Sequence, residues 1–154
     1  MKHPLALALA IALSGTLVVG CSADAQDDAA QTQNVNEANP LFAESTLPLH
    51  YPHFDKIQDS HFGPAFDRGM EEHLAEIEAI ASNDEPATFE NTILPLAKSG
   101  EILSRTSRVF FNLAGVENND EKKAIQAEYA PKLSAHRDAI SLNPDLFARI
   151  KSLY

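Results

Sequence analysis

The 154-residue sequence contains no tryptophan and only one cysteine, Cys21. A single cysteine excludes an intramolecular disulfide, so side-chain packing must hold the fold together. Basic residues are few as well, with 12 Lys and Arg against 22 Asp and Glu and a formal net charge of −10. Because proteins bind the nucleic-acid backbone through clustered Lys and Arg, we expect no nucleic-acid partner.

Several catalytic and binding motifs are also missing. The sequence has no internal repeat, no glycine-rich phosphate-binding loop and no Ser/His/Asp arrangement. His50 and His53 lie close together, but neither a cysteine nor a pair of carboxylates accompanies them. Since zinc sites need three or four such ligands, we predict neither a metal site nor a catalytic residue in this segment.

The N-terminus carries a short apolar run, from Leu5 to Leu13, directly after Lys2 and His3. This run is too short for a membrane-spanning helix, which needs about 20 apolar residues. The run is followed by Leu-Val-Val-Gly and then Cys21, a pattern typical of a bacterial lipoprotein signal peptide. We therefore predict a signal peptide over residues 1–20 and lipid attachment at Cys21.

The lipid would anchor the chain to a membrane, since each buried methylene contributes about 0.8 kcal/mol. Ser22, rather than Asp, follows the cysteine and favours the outer membrane over the inner one. We expect a periplasm-facing, lipid-anchored protein of the bacterial cell envelope. A plain cleaved signal without a lipid is the alternative.

Residues 21–38 are rich in Ala, Gln, Asn and Asp without a basic residue, which predicts a disordered tether.

The remaining residues, 39–154, carry helical patterns. Pro40, Pro48 and Pro52 exclude a regular helix at the start, so we expect an apolar, extended segment lying against the protein. A first helix is predicted from Asp59 or Ser60 to Asn83. Its apolar stripe consists of Phe62, Phe66, Met70, Leu74, Ile77, and Ile80 or Ala81. Its solvated face is expected at Glu71, Glu72, His73, Glu76 and Glu78, although His73 and Glu76 also have the three-residue spacing of a ligand pair.

A second long helix is predicted over Pro86 to Gly115, capped by Thr88 and ended by Gly115. Pro95 lies inside it and predicts a kink near Asn91, whose carbonyl would lose its hydrogen bond. The predicted stripe is Ile93, Leu96, Leu103, Phe110 and Leu113, with Gly100 and Ala114 as small members. The adjacent Phe110 and Phe111 point in different directions, which predicts burial on more than one face.

A third helix is predicted from Asn119 or Asp120, with a bend at Pro131. Its apolar side consists of Ile125, Tyr129, Leu133, His136 and Ile140. Asn143 and Pro144 then predict the cap and first position of a fourth helix with the stripe Leu146, Phe147, Ile150 and Leu153. That stripe breaks off at Tyr154, which we interpret as a truncated helix. The predicted fold is all-α, with three long antiparallel helices and a truncated fourth.

Three segments carry a resemblance to a known family. They are NPLFAESTLPLHYPHFDKI (39–57), DSHFGPAFDRGMEEHLAEIEAIASN (59–83) and APKLSAHRDAISLNPDLFARIKSLY (130–154). Together with the stretch between them, they resemble the N-terminal part of the thimet oligopeptidase family of zinc metallopeptidases. Within that family the segment from Leu47 to Ile57 favours the bacterial dipeptidyl carboxypeptidase branch.

The resemblance implies a zinc peptidase that releases C-terminal dipeptides from short peptides inside a deep channel. Such enzymes carry H-E-x-x-H, two histidines that bind zinc and a glutamate that activates water. None of the six histidines here begins that motif. We therefore interpret residues 39–154 as a fragment that forms channel wall, with the zinc ligands and the catalytic C-terminal region elsewhere and no peptidase activity of its own. The alternative is a free-standing helical lipoprotein that binds a partner through its apolar stripes.

Overall fold

The computed structural model describes residues 39–154, so the predicted signal peptide, Cys21 and tether lie outside the described residues. All regular structure in residues 39–154 is helical, which confirms the predicted fold class there. The α-helices are α1 (Phe62–Ala81), α2 (Leu94–Lys98), α3 (Glu101–Val116), α4 (Asp120–Ser141) and α5 (Pro144–Lys151). None of the described helices is both long and apolar enough to cross a membrane.

Helix α1 is the centre of the bundle and contacts α3, α4 and α5. A 3-10 turn, Asp59–His61, leads into it, and Pro64 sits in its first turn without breaking it. Its stripe is buried as predicted at Phe62, Phe66, Ile77 and Ile80. Leu74 is an exception, since 40% of its surface is exposed.

The prediction of one long helix over Pro86 to Gly115 is wrong. Thr88 does cap its start, accepting a hydrogen bond from the Asn91 backbone N–H at 3.2 Å. A π-helical turn, Phe89–Ile93, then leads into α2, where Pro95 lies near the helix start. The chain breaks after α2 at Ser99, and Gly100 adopts a left-handed backbone with φ of +71°. Gly100 is therefore the cap of α3 and not a member of a continuous stripe.

Two further expectations for this stretch fail at its C-terminal end. Gly115 does not end the helix, because α3 continues to Val116. Phe110 is buried between Phe62 and Phe66, with ring centroids 5.0 and 5.4 Å away. Its neighbour Phe111 is 47% exposed, so α3 is not buried on a second face there.

The starts of α4 and α5 follow their predicted caps. Asn119 accepts from the Lys122 N–H at 2.8 Å, and Asn143 accepts from the Leu146 N–H at 2.9 Å. Helix α4 continues through Pro131, while the predicted bend there stays a prediction. Tyr129 and His136 are buried on α4, as the stripe predicts.

The fourth stripe is only partly right. Leu146 is buried and forms a small core with Ile77 and Ile80. Ile150 packs against this core. Phe147, placed on the same stripe by the sequence, is 64% exposed.

The contacts between helices define their directions. Phe62 meets Phe110 near one end of the bundle, and Gly69 meets Leu103 further along, so α1 and α3 run antiparallel. Side chains of Asp59, Asp67 and His73 meet those of Lys122, Tyr129 and His136 respectively, so α4 runs parallel to α1. The three long helices therefore form an up-down-up bundle.

The segment before α1 is attached at its start. The buried Asn39 amide donates to the His61 carbonyl at 2.8 Å, and Leu41 enters the main core. Arg105 of α3 donates to the carbonyls of Leu41 and Phe42. Further along, the extended prediction fails, because Pro48–His50 forms a 3-10 turn and Leu49 is 96% exposed.

Candidate functional site

No group of three or more His, Cys, Asp or Glu side chains within residues 39–154 could hold a metal ion. His50 is exposed at 3.4 Å from the Glu44 carboxylate, and His53 lies 3.9 Å from Asp55. The ligand-like spacing of His73 and Glu76 gains no further ligand. Lipid attachment at Cys21 falls outside the described residues and stays a prediction.

The structure instead joins two histidines that are far apart in sequence. His73 Nδ1 on α1 lies 3.0 Å from His136 Nε2 on α4. His73 Nε2 lies 3.1 Å from the Ser99 hydroxyl, in the break between α2 and α3. The sequence placed His73 on a solvated face, and this prediction is wrong. Its side chain instead joins three elements of the bundle.

We assign the protons of these linked side chains from their hydrogen-bond partners. The Ser99 hydroxyl donates to the Leu96 carbonyl at 2.8 Å, so its oxygen accepts from His73 Nε2–H. His73 Nδ1 is then the acceptor in the neutral ring, and His136 Nε2–H donates to it. This leaves His136 Nδ1 unprotonated, buried, and without a hydrogen-bond partner among the described residues.

Gly100 completes the junction. Its backbone N–H donates to the Glu76 carboxylate at 2.7 Å, which ties the start of α3 to α1. A Cβ at this position would lie 2.8 Å from His73 Nδ1 and 2.9 Å from two ring carbons. Only glycine therefore allows the chain to pass this closely over the imidazole. We call His73, Ser99, Gly100 and His136 the histidine junction.

Burial lowers the pKa of His73 below its ordinary value of 6.5, while the negative charge of Glu76 acts in the opposite direction. Burial also lowers the pKa of His136, and the proximity of His73 lowers it further. Both causes disfavour a proton on the pair. His73 and His136 are thus a neutral, hydrogen-bonded pair at neutral pH.

Two surface clefts lie beside α3. A polar cleft of about 420 Å³ lies beside the histidine junction, and its walls include His73, Glu76 and Gly100. A larger cleft of about 680 Å³ lies between the segment before α1 and α3, and its walls include Leu49, Phe54 and Arg108.

Sequence reasoning placed His136 on the apolar side of its helix but missed its pairing with His73. The available signal was the polar residue within that stripe, since a buried imidazole needs a partner. The partner could not be named, because 63 residues separate the two histidines and their meeting depends on the helix directions.

No protein-family model matches the chain. Its sequence is nonetheless related to the N-terminal region of bacterial peptidases, which confirms the resemblance drawn from the sequence. It is 43% identical over 116 residues to dipeptidyl carboxypeptidase of Escherichia coli K12, and 40% identical over 116 residues to that of Salmonella typhimurium LT2. It is 26% identical over 115 residues to oligopeptidase A of Escherichia coli K12.

These matches cover 75% of the chain. The chain spans only 16% to 17% of the length of the curated relatives it matches. The higher identity to the dipeptidyl carboxypeptidases agrees with the branch favoured by the sequence. What the chain shares with these relatives is the sequence of their N-terminal region.

Proposed function

We propose that residues 39–154 form the N-terminal helical region of a peptidase that releases dipeptides from the C-termini of short peptides. The observation that carries this proposal is the 43% identity over 116 residues to a dipeptidyl carboxypeptidase. An identity of this size over a segment of this length supports a shared fold and a shared role within the enzyme.

In this proposal the helices act as wall around a substrate channel and contribute no catalytic residue. The zinc, its two histidine ligands and the glutamate that activates water would come from an H-E-x-x-H helix outside this sequence. The absence of that motif from all 154 residues supports this division of roles. The chain alone is then expected to leave peptides intact.

The surface of the bundle supports a role inside a larger protein. Several large apolar side chains are exposed on the described residues: Leu49, Tyr51, Phe89, Phe111, Val116, Leu142 and Phe147. Isolated exposed apolar residues are ordinary, but phenylalanines on several elements provide surface that a further region can cover. We propose that the catalytic region covers part of it.

Reading the gene beyond the codon for Tyr154 tests this proposal. The expected result is an in-frame continuation that encodes H-E-x-x-H several hundred residues downstream. A stop codon at this point with no H-E-x-x-H in the following sequence would exclude a peptidase and favour the free-standing lipoprotein.

We further propose that the chain is anchored to the outer membrane through a lipid on Cys21. Support comes from the apolar run and the small residue that precede this cysteine. Mass spectrometry of the protein purified from membranes should show a diacylglycerol on a new N-terminal cysteine, and Cys21→Ser should release the protein into the soluble fraction. An unmodified N-terminus at another residue would contradict the anchor.

A further inference from the structure

The histidine junction offers a function that the wall role does not require. It connects α1 to α4 through His73 and His136, and it connects α1 to the α2–α3 break through Ser99. The side chain of His136 is 8% exposed, and its ring centroid lies 5.0 Å from that of His73. A change in the protonation of either ring therefore acts on three elements at once.

A proton added to the pair is unfavourable at both of the ring nitrogens that could accept it. A proton added to His73 Nδ1 would face the N–H of His136, so two donors would meet at 3.0 Å. A proton added to His136 Nδ1 would be buried without an acceptor among the described residues. The first proton opposes the hydrogen bond between the rings. The second keeps that bond but leaves a buried charged donor without an acceptor, which favours turning His136 toward solvent.

The surroundings of the pair are mostly acidic. The charged groups that line the adjoining cleft are Glu44, Glu72, Glu76, Lys98, Glu101 and Arg105. On α4, Arg137 and Asp138 follow His136 and are exposed. Glu76 is already engaged by the Gly100 N–H, so it holds the junction closed through the backbone. Once the pair opens, the remaining carboxylates would stabilise a protonated imidazole in the cleft.

We propose that the His73–His136 hydrogen bond is an acid-sensitive latch, which holds α4 and the α2–α3 break against α1 at neutral pH and releases them in mild acid. The closed form binds protons less readily than the open form, because burial lowers both pKa values and the nearby His73 lowers that of His136 further. Opening is therefore favoured as the pH falls below about 6.5, the ordinary value for histidine.

Hydrogen exchange of the full chain, followed by mass spectrometry between pH 7.5 and pH 5.0, tests this latch. After correction for the intrinsic effect of pH, protection over residues 99 to 104, where the amides of Ser99, Gly100 and Ser104 are hydrogen-bonded, should fall about tenfold or more. His136→Gln supplies an N–H donor to His73 but does not titrate itself. In this variant the same fall should be less than about threefold.

His61→Gln is the matched control, because His61 is also buried and its pKa is also lowered by burial, but its Nδ1 accepts from the Gln58 N–H far from the junction. This variant should keep the full acid response of residues 99–104. If His136→Gln does not fold, His73→Gln is used in its place. The side-chain carbonyl of the new glutamine can accept the hydrogen bond from His136. Protection that stays constant in the wild type, or that falls equally in the glutamine variant, would overturn the latch.

Discussion

Two positions tie α1 and the turn before it to other elements of the bundle, Gly100 beside the middle of α1 and Asp59 just before its start. Gly100 allows a left-handed turn directly over the His73 ring. Before the start of α1, Asp59 forms a salt bridge of 2.9 Å with Lys122, and the Lys122 side chain is only 6% exposed. Each position fixes a contact between elements that are distant in sequence.

Gly100→Ala should lower the free energy of unfolding by about 1 to 3 kcal/mol, because a left-handed alanine is strained and its Cβ would collide with His73. Chemical denaturation measures this loss. Gly115→Ala is the matched control, since Gly115 lies inside α3 with nothing within 4 Å of its Cβ position. That change should raise stability by roughly 0.5 to 1 kcal/mol. Equal effects at the two positions would contradict the assignment of Gly100.

Asp59→Ala should cost about 3 kcal/mol or more, because it leaves the Lys122 ammonium buried without its partner. Asp120→Ala is the control, since Asp120 is 99% exposed in its pair with Lys123 and should cost less than about 1 kcal/mol. Urea denaturation at neutral pH compares the two variants. Similar losses in both would mean that the Asp59 pair does not stabilise the fold.

The pH dependence of this pair follows from the same contacts. Burial would raise the pKa of Asp59, but hydrogen bonds from Asn119 and Lys122 and the Lys122 charge outweigh it, so the pKa lies below 3.8. The stabilisation is therefore complete above about pH 4 and is lost as the pH falls through the lowered pKa. Below pH 4, the wild type should lose stability more steeply than Asp59→Ala in denaturation curves. Parallel pH profiles would contradict this contribution.

At the scale of the elements, capping residues and apolar stripes predicted where several helices begin, but they did not predict where the chain breaks between α2 and α3. Thr88, Asn119 and Asn143 are side-chain caps whose signal is local, so the starts that depend on them could be predicted. The break at Gly100 could not, because an interior glycine fits a helical stripe equally well. Its left-handed turn depends on contacts with His73 and Glu76, 27 and 24 residues earlier in the chain.

The candidate site shows the same limit. Periodicity placed His136 among apolar neighbours but assigned His73 to solvent, since it lies between glutamates in sequence. The pair exists because α4 runs parallel to α1 with a constant register of about 63 residues. A register between two helices depends on the whole bundle, so it could not be read from either helix alone.

Pro131 gives a prediction for a whole element. It lies inside α4, where it is exposed and leaves the Ala127 carbonyl without its helical N–H. Pro131→Ala should therefore raise the free energy of unfolding by about 1 to 3 kcal/mol, measured by thermal or chemical denaturation with far-UV circular dichroism. Pro144→Ala is the control, because proline at a first helical position is favourable and its loss should give no gain. A destabilised Pro131→Ala would mean that Pro131 improves the packing of α4.

At the scale of the whole molecule, the bundle has one main core and one smaller core. The main core is built around Phe62, Phe66 and Phe110, and the smaller one joins Ile77 and Ile80 to Leu146. Apolar side chains remain exposed on the segment before α1, on α3 and on α5. Together with the relationship to peptidases, this surface supports our proposal that the described region works as part of a larger enzyme.

A chimera tests that claim most directly. The matched 116-residue segment of Escherichia coli dipeptidyl carboxypeptidase is replaced by residues 39–154, and dipeptide release from a short peptide is measured. We expect kcat/KM within about tenfold of the parent enzyme. A second chimera with an unrelated helical bundle of equal length is the control and should be inactive. A folded first chimera that releases dipeptides no faster than this control would contradict the proposed role.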